Sequence, residues 1–207
     1  STIVNLIPRF YDATHGTVSI DGINVKDYTK EDLIHKIGVV PQKAVLFAGS
    51  IRDNMKIGNE NATDEEIWNA LQLAQAKEVV EEKDGQLDYM IEQNGRNLSG
   101  GQKQRLTIAR AFVKDPEIIV LDDSASALDF ATDAKLRAAL QTIHKTTVIV
   151  SQRTSSIKHA DLILVLDDGK LVGKGTHEEL MNNCHVYQEI YYSQFPEEKP
   201  ADFKMEV

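Results

Sequence analysis

Short apolar runs recur along this chain, and stretches with a helical period separate some of them. The runs are rich in valine and isoleucine and nearly continuous; they are GTVSIDG (16–22), KIGVV (36–40), EIIVLDD (117–123), TTVIVS (146–151) and LILVLDDGKLVGKG (162–175). Continuous runs of this kind are typical of strands that are buried on both faces of a largely parallel sheet. A helical segment, DFATDAKLRAALQTIHK (129–145), lies between two of the runs. The order strand, helix, strand predicts an α/β fold with right-handed crossovers.

The stretch between about residue 51 and residue 95 lacks a convincing strand pattern and predicts two helical stretches. In one of them, Thr63 and Glu66 have the spacing of a capping box, and Ile67 and Leu71 share a helix face. We interpret this stretch as a helical subdomain inserted into an α/β core. The predicted boundaries are 1–50 and 107–190 for the core, 51–106 for the helical subdomain, and 191–207 for a charged tail whose end we expect to be disordered.

Length and composition limit the number of domains and the classes of molecule that this chain can bind. The 207 residues suffice for one domain, or for one domain with an inserted lobe. The chain has 23 basic and 32 acidic residues, a net charge of −9 and no long basic cluster, so nucleic acid is a poor candidate partner. Cys184 is the sole cysteine, which excludes an internal disulfide framework and a thiolate metal cluster. No stretch approaches the roughly 18 to 20 unbroken apolar residues that span a bilayer.

The stretch NLSGGQKQRLTIARAFVKDPEIIVLDD forms one continuous pattern of turn, helix and strand. Ser99 and Gln102 fit an S-x-x-Q capping box at the start of a helix that ends before a proline. The plain interpretation is a helix start. The functional interpretation is an anion site, because first-turn N–H groups, the helix dipole and a serine hydroxyl point out of a turn that contains Gly100 and Gly101. The strand that follows ends in Asp122, which puts a carboxylate at the sheet edge where α/β proteins bind ligands.

These motifs carry a resemblance to a known family. LSGGQKQR, the apolar strand into LDD, and SALD after it resemble the signature motif, the Walker B strand and the D-loop of ATP-binding cassette (ABC) ATPases. GVVPQKAVLFAGSIRDN (38–54) resembles their Q-loop strand, with Gln42 as its glutamine, and its LF and SIRDN are typical of ABC exporters. GKGTHEEL (173–180) resembles a late strand and helix of the same domain. The resemblance covers roughly residues 1–190 and implies a P-loop NTPase core with a mostly parallel sheet and an inserted α-helical subdomain.

The phosphate loop is the first departure from the family. The motif G-x-x-x-x-G-K-[ST], whose amides and lysine bind the phosphates of ATP, is missing. The chain opens with a stretch that directly follows the phosphate-loop lysine in exporter-type domains. Ser1 therefore resembles the Mg²⁺-binding serine of that loop, and Thr2 lies beside it. We expect the sequence to be a fragment that lacks the preceding strands, the adenine-stacking loop and the lysine.

Two further departures concern catalytic positions. Hydrolytically competent family members have a glutamate after the Walker B aspartate, where it polarises the attacking water. This chain has Asp123 there, whose side chain is one methylene shorter. The family's switch-region histidine is Gln152 here, and a neutral amide can hydrogen-bond a γ-phosphate but cannot carry the positive charge of an imidazole. Together these changes predict a degenerate nucleotide site with weak activity.

The resemblance implies a role for each matching residue. The residues implied for catalysis are Asp123, Gln152 and Gln42. The residues implied to hold or sense Mg²⁺ are Ser1, Gln42 and Asp122. The residues implied to bind ATP or to couple the two sites of a dimer are Ser1, Thr2, Gln42, Ser99, Gly100, Gly101, Gln102 and Asp129.

Family members work as head-to-tail pairs, so the intact signature residues of this chain would complete the active site of a second ABC domain on a different subunit. We therefore interpret the chain as the nucleotide-binding domain of one half of a heterodimeric exporter. It would bind ATP and Mg²⁺, join transmembrane domains and lie at the cytoplasmic face of the cell's inner membrane.

Two alternatives belong to other classes. One is a non-catalytic ATP-binding regulatory subunit, which the degenerate residues favour and the exporter-like LFAGSIRDN does not. The other is a soluble ABC ATPase of DNA repair or translation. It is disfavoured because the sequence shows no zinc motif, no coiled-coil insertion and no basic surface run.

Overall fold

The secondary structure comes from a computed structural model, which describes residues 1–204. The strands are β1 Ser19–Ile20, β2 Ile23–Asn24, β3 Ile37–Val40, β4 Gly49–Ser50, β5 Met90–Ile91, β6 Ile118–Asp122, β7 Thr146–Val150, β8 Ile163–Asp167 and β9 Lys170–Gly175. The helices are α1 Lys30–Lys36, α2 Ile51–Lys56, α3 Asp64–Leu73, α4 Lys77–Glu81, α5 Gly100–Val113, α6 Phe130–Thr142, α7 Thr154–Ile157, α8 His177–Asn183 and α9 His185–Gln194. Short 3₁₀ turns lie at Val4–Leu6, Val25–Asp27, Gln86–Asp88, Gln93–Gly95 and Pro196–Glu198. The chain divides into two units, Ser1–Val150 and a second that begins at Ser151.

A parallel sheet in the strand order β3-β6-β7 lies at the centre of the first unit. The middle strand, β6, is in register with β3 from Ile118 and with β7 up to Asp122. Ile119, Val120 and Leu121 of this strand are all buried, as a strand covered on both faces requires. The predicted strands at 36–40, 117–123 and 146–151 are therefore confirmed, and so is the α/β core with a largely parallel sheet. The edge strand β7 is only half-buried, so for it the predicted burial on both faces is wrong.

Helices α2, α3 and α5 pack together in the first unit. Their fully buried apolar side chains include Ile51, Met55, Ile67, Leu71, Leu106 and Ile108. The predicted capping box of α3 is confirmed: Glu66 Oε2 accepts from the Thr63 N–H at 2.7 Å, and Thr63 Oγ1 accepts from the Glu66 N–H at 3.3 Å. The boundaries of a helical subdomain at 51–106 stay a prediction.

Two short antiparallel strand pairs differ from the predicted pattern. The run at 16–22 forms only β1, because Asp21 and Gly22 adopt positive φ angles of 53° and 79° and turn the chain back into antiparallel β2. The stretch 51–95, which showed no strand pattern, contains β5, and β5 pairs with β4. The same stretch holds α2, α3 and α4 rather than two helices. Strands of two residues show no periodicity, so the pattern could not reveal them.

The second unit contains an antiparallel hairpin, β8–β9, against which α8 and α9 pack. Its buried apolar residues are Ile163, Val165, Leu180, Cys184 and Tyr187. For the run 162–175, the prediction of strands buried on both faces of a parallel sheet is wrong. Asp168 and Gly169 reverse the chain with φ angles of 44° and 73°, and the side chains of Leu164 and Leu166 are about half exposed.

Helix α9 continues to Gln194 and so includes the first residues of the predicted tail, whose boundary at 191 stays a prediction. The predicted disorder does not extend to residues 195–204: a 3₁₀ turn follows the helix, and the Phe203 ring stacks on His185 with centroids 5.0 Å apart. The last three residues of the predicted tail lie outside the described residues. Between residues 1 and 204, no helix has the length and apolar character needed to cross a membrane.

Candidate functional site

Gln42 and Asp123 meet at one edge of the parallel sheet. Strands β3 and β6 are parallel neighbours, so their carboxyl ends lie side by side. Gln42 follows β3 by two residues, and Asp123 directly follows β6. The Gln42 Nε2 group donates a hydrogen bond to Asp123 Oδ2 at 3.1 Å. The structure thus brings together two of the residues that were predicted to be catalytic.

The main chain fixes the position of Asp123. Its φ angle of 47° lies in the left-handed region, which a non-glycine residue adopts only at a cost in free energy. The Asp123 N–H donates to the Val150 carbonyl at 2.9 Å, and the Asp123 carbonyl accepts from Ser126 Oγ at 2.8 Å. Strain that neighbouring groups maintain in this way is concentrated at functional sites, where it orients a side chain.

Asp122 is the buried carboxylate of the same edge, and it is 7% exposed. The main-chain nitrogen of Ser1 lies 3.6 Å from Asp122 Oδ1, so the structure brings together two residues predicted to hold Mg²⁺. Thr2, like Ser1, is exposed. Mg²⁺ is usually held by one or two carboxylates together with the phosphates of a nucleotide, and Asp122 fits that donor set. Within residues 1–204, three or more His, Cys, Asp or Glu side chains that could hold a metal by themselves do not come together.

The predicted signature residues form the start of α5. Ser99 Oγ accepts from the Gln102 N–H at 3.3 Å, and Gln102 Oε1 accepts from the Ser99 N–H at 3.0 Å, which confirms the predicted capping box. Ser99 and Gly100 are exposed, and a Cβ added at Gly100 would meet no atom within 4 Å. A helix of 14 residues therefore presents its positive end to open space, where an anion fits. The Ser99 and Gln102 side chains each bond the main-chain N–H of the other residue rather than the carboxylates of the sheet edge.

Two side chains of α5 that the sequence analysis did not single out hold the Q-loop. Gln104, which is 1% exposed, donates from Nε2 to the Pro41 carbonyl at 3.5 Å. Arg110 donates from Nη2 to the Val45 carbonyl at 3.0 Å, and its guanidinium carbon lies 5.9 Å from the centroid of the Phe47 ring. Burial lowers the pKa of Arg110, but a guanidinium stays charged at neutral pH. The available signal for Gln104 was a polar residue on the apolar face of a helix, where it needs a partner.

Asp129 caps the helix that follows the sheet edge. Its Oδ1 accepts from the Thr132 N–H at 2.9 Å, and its Oδ2 accepts from the Thr132 hydroxyl at 2.8 Å. These bonds lower the pKa of Asp129 because they stabilise the charged carboxylate. The predicted part of Asp129 in coupling two ATP sites stays a prediction.

Gln152 belongs to the second unit and follows the last residue of β7 by two positions. The residue is exposed, and its main-chain carbonyl accepts a hydrogen bond from Gln194 Nε2 at 2.8 Å. Its predicted contact with a γ-phosphate stays a prediction.

Known proteins resemble this chain over most of its length. The model of the ABC transporter family matches residues 1–126. An uncharacterized ABC transporter ATP-binding protein of Bacillus subtilis, YfiB, is 47% identical over 198 residues, which cover 96% of this chain and 35% of that protein. A putative multidrug export ATP-binding/permease protein of Staphylococcus aureus is 42% identical over 193 residues, covering 92% of this chain and 33% of that protein. The chain therefore spans about a third of the length of these relatives.

A solved structure has the same fold. It is the structure of a bacterial Atm1-family ABC exporter with ATP bound, to which this chain is 35% identical with a TM-score of 0.89. The similarity covers 93% of this chain and 34% of that one. With the motifs at the sheet edge and at the start of α5, these similarities show that the chain belongs to the ABC transporter family and is an ATPase domain of that family.

Proposed function

We propose that this domain binds ATP with Mg²⁺ at a head-to-tail interface with a second ABC domain and couples ATP binding and hydrolysis to export across a membrane. The observation that carries the proposal is the hydrogen bond from Gln42 to Asp123 at the sheet edge where Asp122 also ends its strand. An amide and two carboxylates are groups that a metal-bound triphosphate and its attacking water require. The names of the relatives, which include an ATP-binding protein and a multidrug export protein, support it.

Each group at this edge has its own task in the proposal. Asp122 holds Mg²⁺, which neutralises charge on the β- and γ-phosphates when it is bound. Ser1 would hold Mg²⁺ together with Asp122, and Ser1 and Thr2 contact the phosphates. Gln42 orients the metal and the attacking water, and Asp123 polarises that water.

In the proposal, the exposed start of α5 contacts the ATP molecule that is bound to the second domain. Its N–H groups and dipole favour a phosphate, and Gly100 leaves room for a close approach. In the capping box the Ser99 hydroxyl acts as an acceptor, so its hydrogen is not used by the cap. Gly101 and Gln102 complete this surface, and Asp129 couples the two sites across the interface.

The site on this chain is slow in the proposal, and the two sites of the pair are unequal. Asp123 is one methylene shorter than glutamate, and the Gln42 amide already occupies one of its oxygens. Gln152 can hydrogen-bond a γ-phosphate as a neutral amide but cannot supply a positive charge. The second domain therefore comes from a different subunit, whose own Walker B site performs most of the hydrolysis.

Transmembrane domains are the further proposed partner, and the domain then lies at the cytoplasmic face of the cell's inner membrane. Three exposed apolar side chains mark a surface for that contact: Val45 (43% exposed) and Phe47 (55%) in the Q-loop, and Met90 (62%) in β5. Single exposed apolar residues are common, but Phe47 precedes β4 by two residues and Met90 lies in β5, which pairs with β4.

Substitutions in the signature residues test the function. In the full transporter that carries this chain, Ser99→Ala should lower ATP turnover by about a hundredfold, because it removes a hydroxyl donor from the partner's site. Gly101→Asp should abolish it, because it puts a carboxylate against the γ-phosphate. The measurement is steady-state phosphate release.

Thr63→Ala is the matched control for Ser99→Ala. It removes the same kind of capping box from α3, far along the chain from the signature, and should leave turnover unchanged. Unchanged turnover in both signature variants, or an equal loss in Thr63→Ala, would contradict the proposal.

A non-catalytic regulatory subunit is the second candidate, and the two departures from the family at Asp123 and Gln152 favour it. Phosphate release by the paired complex separates the two candidates. A regulatory pair would bind ATP without steady hydrolysis.

A further inference from the structure

The side chain of Gln194, the last residue of α9, spans the turn that carries Gln152. Its Oε1 accepts from the Thr154 N–H at 3.0 Å and from the Thr154 hydroxyl at 3.2 Å. Its Nε2 donates to the Gln152 carbonyl at 2.8 Å. One amide thus bonds three groups on the two sides of Arg153.

The main-chain N–H of Thr154 has the Gln194 amide as its hydrogen-bond acceptor. Thr154 is fully buried and is the first residue of α7, so its N–H has no acceptor within the helix and no access to water. The residue before it, Arg153, has no side-chain oxygen that could cap the helix. A buried N–H needs a partner, and Gln194 supplies it from 40 positions further along the chain.

The chemistry of the partners fixes the orientation of the amide. The Thr154 N–H can only donate and the Gln152 carbonyl can only accept, so the oxygen of Gln194 faces the first and its nitrogen faces the second. Glutamate would keep the acceptor and lose the donor. Methionine has a similar length but neither group.

Helix α9 gives Gln194 a rigid support. Tyr187 and Tyr191 of the same helix are 2% and 8% exposed, and Tyr187 lies in the core of the second unit. Side chains held by a packed helix are positioned more accurately than those on loops. The segment 152–154 is therefore tied to the core of its unit.

We infer that Gln194 is a positioning residue for the nucleotide site. It fixes the main chain at 152–154 and so sets the direction from which the Gln152 side chain reaches the γ-phosphate. This inference rests on the proposed function, which assigns that contact to Gln152.

Amide hydrogen exchange of the 207-residue chain tests the structural step. Gln194→Met and Gln194→Ala should lower the protection of the Thr154 amide at least about tenfold, because the buried N–H loses its acceptor. Gln194→Glu should retain most of that protection. Ser193→Ala is the control, because the Ser193 hydroxyl donates within its own helix, to Ile190, and should change nothing. Unchanged protection of Thr154 in Gln194→Met and Gln194→Ala would overturn the inference.

The ratio of ATP to ADP affinity tests the functional step. It is measured by titrating both nucleotides into the full complex whose partner chain has its own nucleotide site disabled. A general loss of stability would weaken the binding of ATP and of ADP to the same extent. Misplacement of a contact with the γ-phosphate would weaken only the binding of ATP, because ADP has no γ-phosphate. Gln194→Met should lower the ratio about three- to tenfold, the equivalent of one hydrogen bond, and Ser193→Ala should not.

The outcomes are distinguishable. Lower Thr154 protection together with a lower ratio supports the inference, and lower protection with an unchanged ratio overturns it. If the complex without any substitution binds ATP and ADP equally, the proposed function of Gln152 fails first, and the positioning role of Gln194 fails with it.

Discussion

Ser124 places a hydroxyl group where water does not reach. The residue is 2% exposed, and within the described residues its Oγ has no hydrogen-bond partner. A buried polar group without a partner costs about 1–3 kcal/mol. Because Ser124 directly follows Asp123, the loop with the proposed catalytic carboxylate contains a destabilising group beside a strained residue.

Removal of this hydroxyl should stabilise the protein. We expect Ser124→Ala to raise the free energy of unfolding by about 1 kcal/mol, because it relieves the desolvation cost without removing a bond. The measurement is urea denaturation of the 207-residue chain. The matched control is Ser126→Ala, which deletes the bond to the Asp123 carbonyl and should lower the free energy of unfolding by about 0.5–1.5 kcal/mol. A loss of stability in Ser124→Ala would show that its hydroxyl has a partner.

At the scale of elements, helix α9 contacts the segment that follows it, residues 195–204. The Tyr191 hydroxyl donates to Glu198 Oε2 at 2.5 Å, and Phe203 contacts both His185 and Tyr192 with ring centroids 5.0 and 4.8 Å away. These contacts lay the segment 195–204 along the helix. The bond to Glu198 and burial raise the pKa of Tyr191 to about 12.

The contact between Tyr191 and Glu198 should depend on pH at the alkaline end. The folded pKa is raised above the ordinary value of 10.0, so the stabilising contribution is complete below pH 10 and is lost as the pH rises through about 12. Spectrophotometric titration should show that Tyr191→Phe removes a tyrosine that ionises near pH 12. Glu198→Gln should move that ionisation toward pH 10. A Tyr191→Phe difference spectrum that titrates near pH 10 in the otherwise unchanged chain would contradict this account.

The strands show how much of the secondary structure an apolar sequence pattern can predict. The continuous apolar runs of β3 and β6 reflect burial along most of each strand, and that of β7 reflects partial burial, so these strands were visible in the sequence. The β8–β9 run looked alike, yet its strands are joined by a turn and expose one face. The order of residues 195–204 depends on contacts such as Phe203 with His185, which no local period encodes.

In the candidate site, too, contacts between residues close in sequence could be predicted, and contacts between distant residues could not. The bonds between Ser99 and Gln102 join residues three positions apart, so spacing alone predicted them. Gln42 and Asp123 are 81 positions apart and meet only because β3 and β6 are neighbours in the sheet. Gln194 was missed, because a glutamine at a helix end carries no signal until its partners are known.

At the scale of the whole molecule, the residues of the candidate site fall into two groups. The residues that would complete a partner's site, from Ser99 to Gln102, match the family, whereas Asp123 and Gln152 depart from it. In the proposed head-to-tail pair of this chain with a different subunit, one site is complete and the other mainly holds ATP. The proposed asymmetry depends most directly on Asp123, the proposed catalytic carboxylate of this chain's own site.

The most direct measurement is ATP turnover by the complex after the catalytic carboxylate of the partner subunit has been removed, so that only the site with Asp123 can hydrolyse. We predict a slow rate for the otherwise unmodified complex and little change in Asp123→Asn, since a site that contributes little has little to lose. Asp123→Glu should raise the rate modestly, because the longer side chain restores reach to the attacking water. A brisk rate that falls by orders of magnitude in Asp123→Asn would show that Asp123 is a competent base and would contradict the asymmetric site.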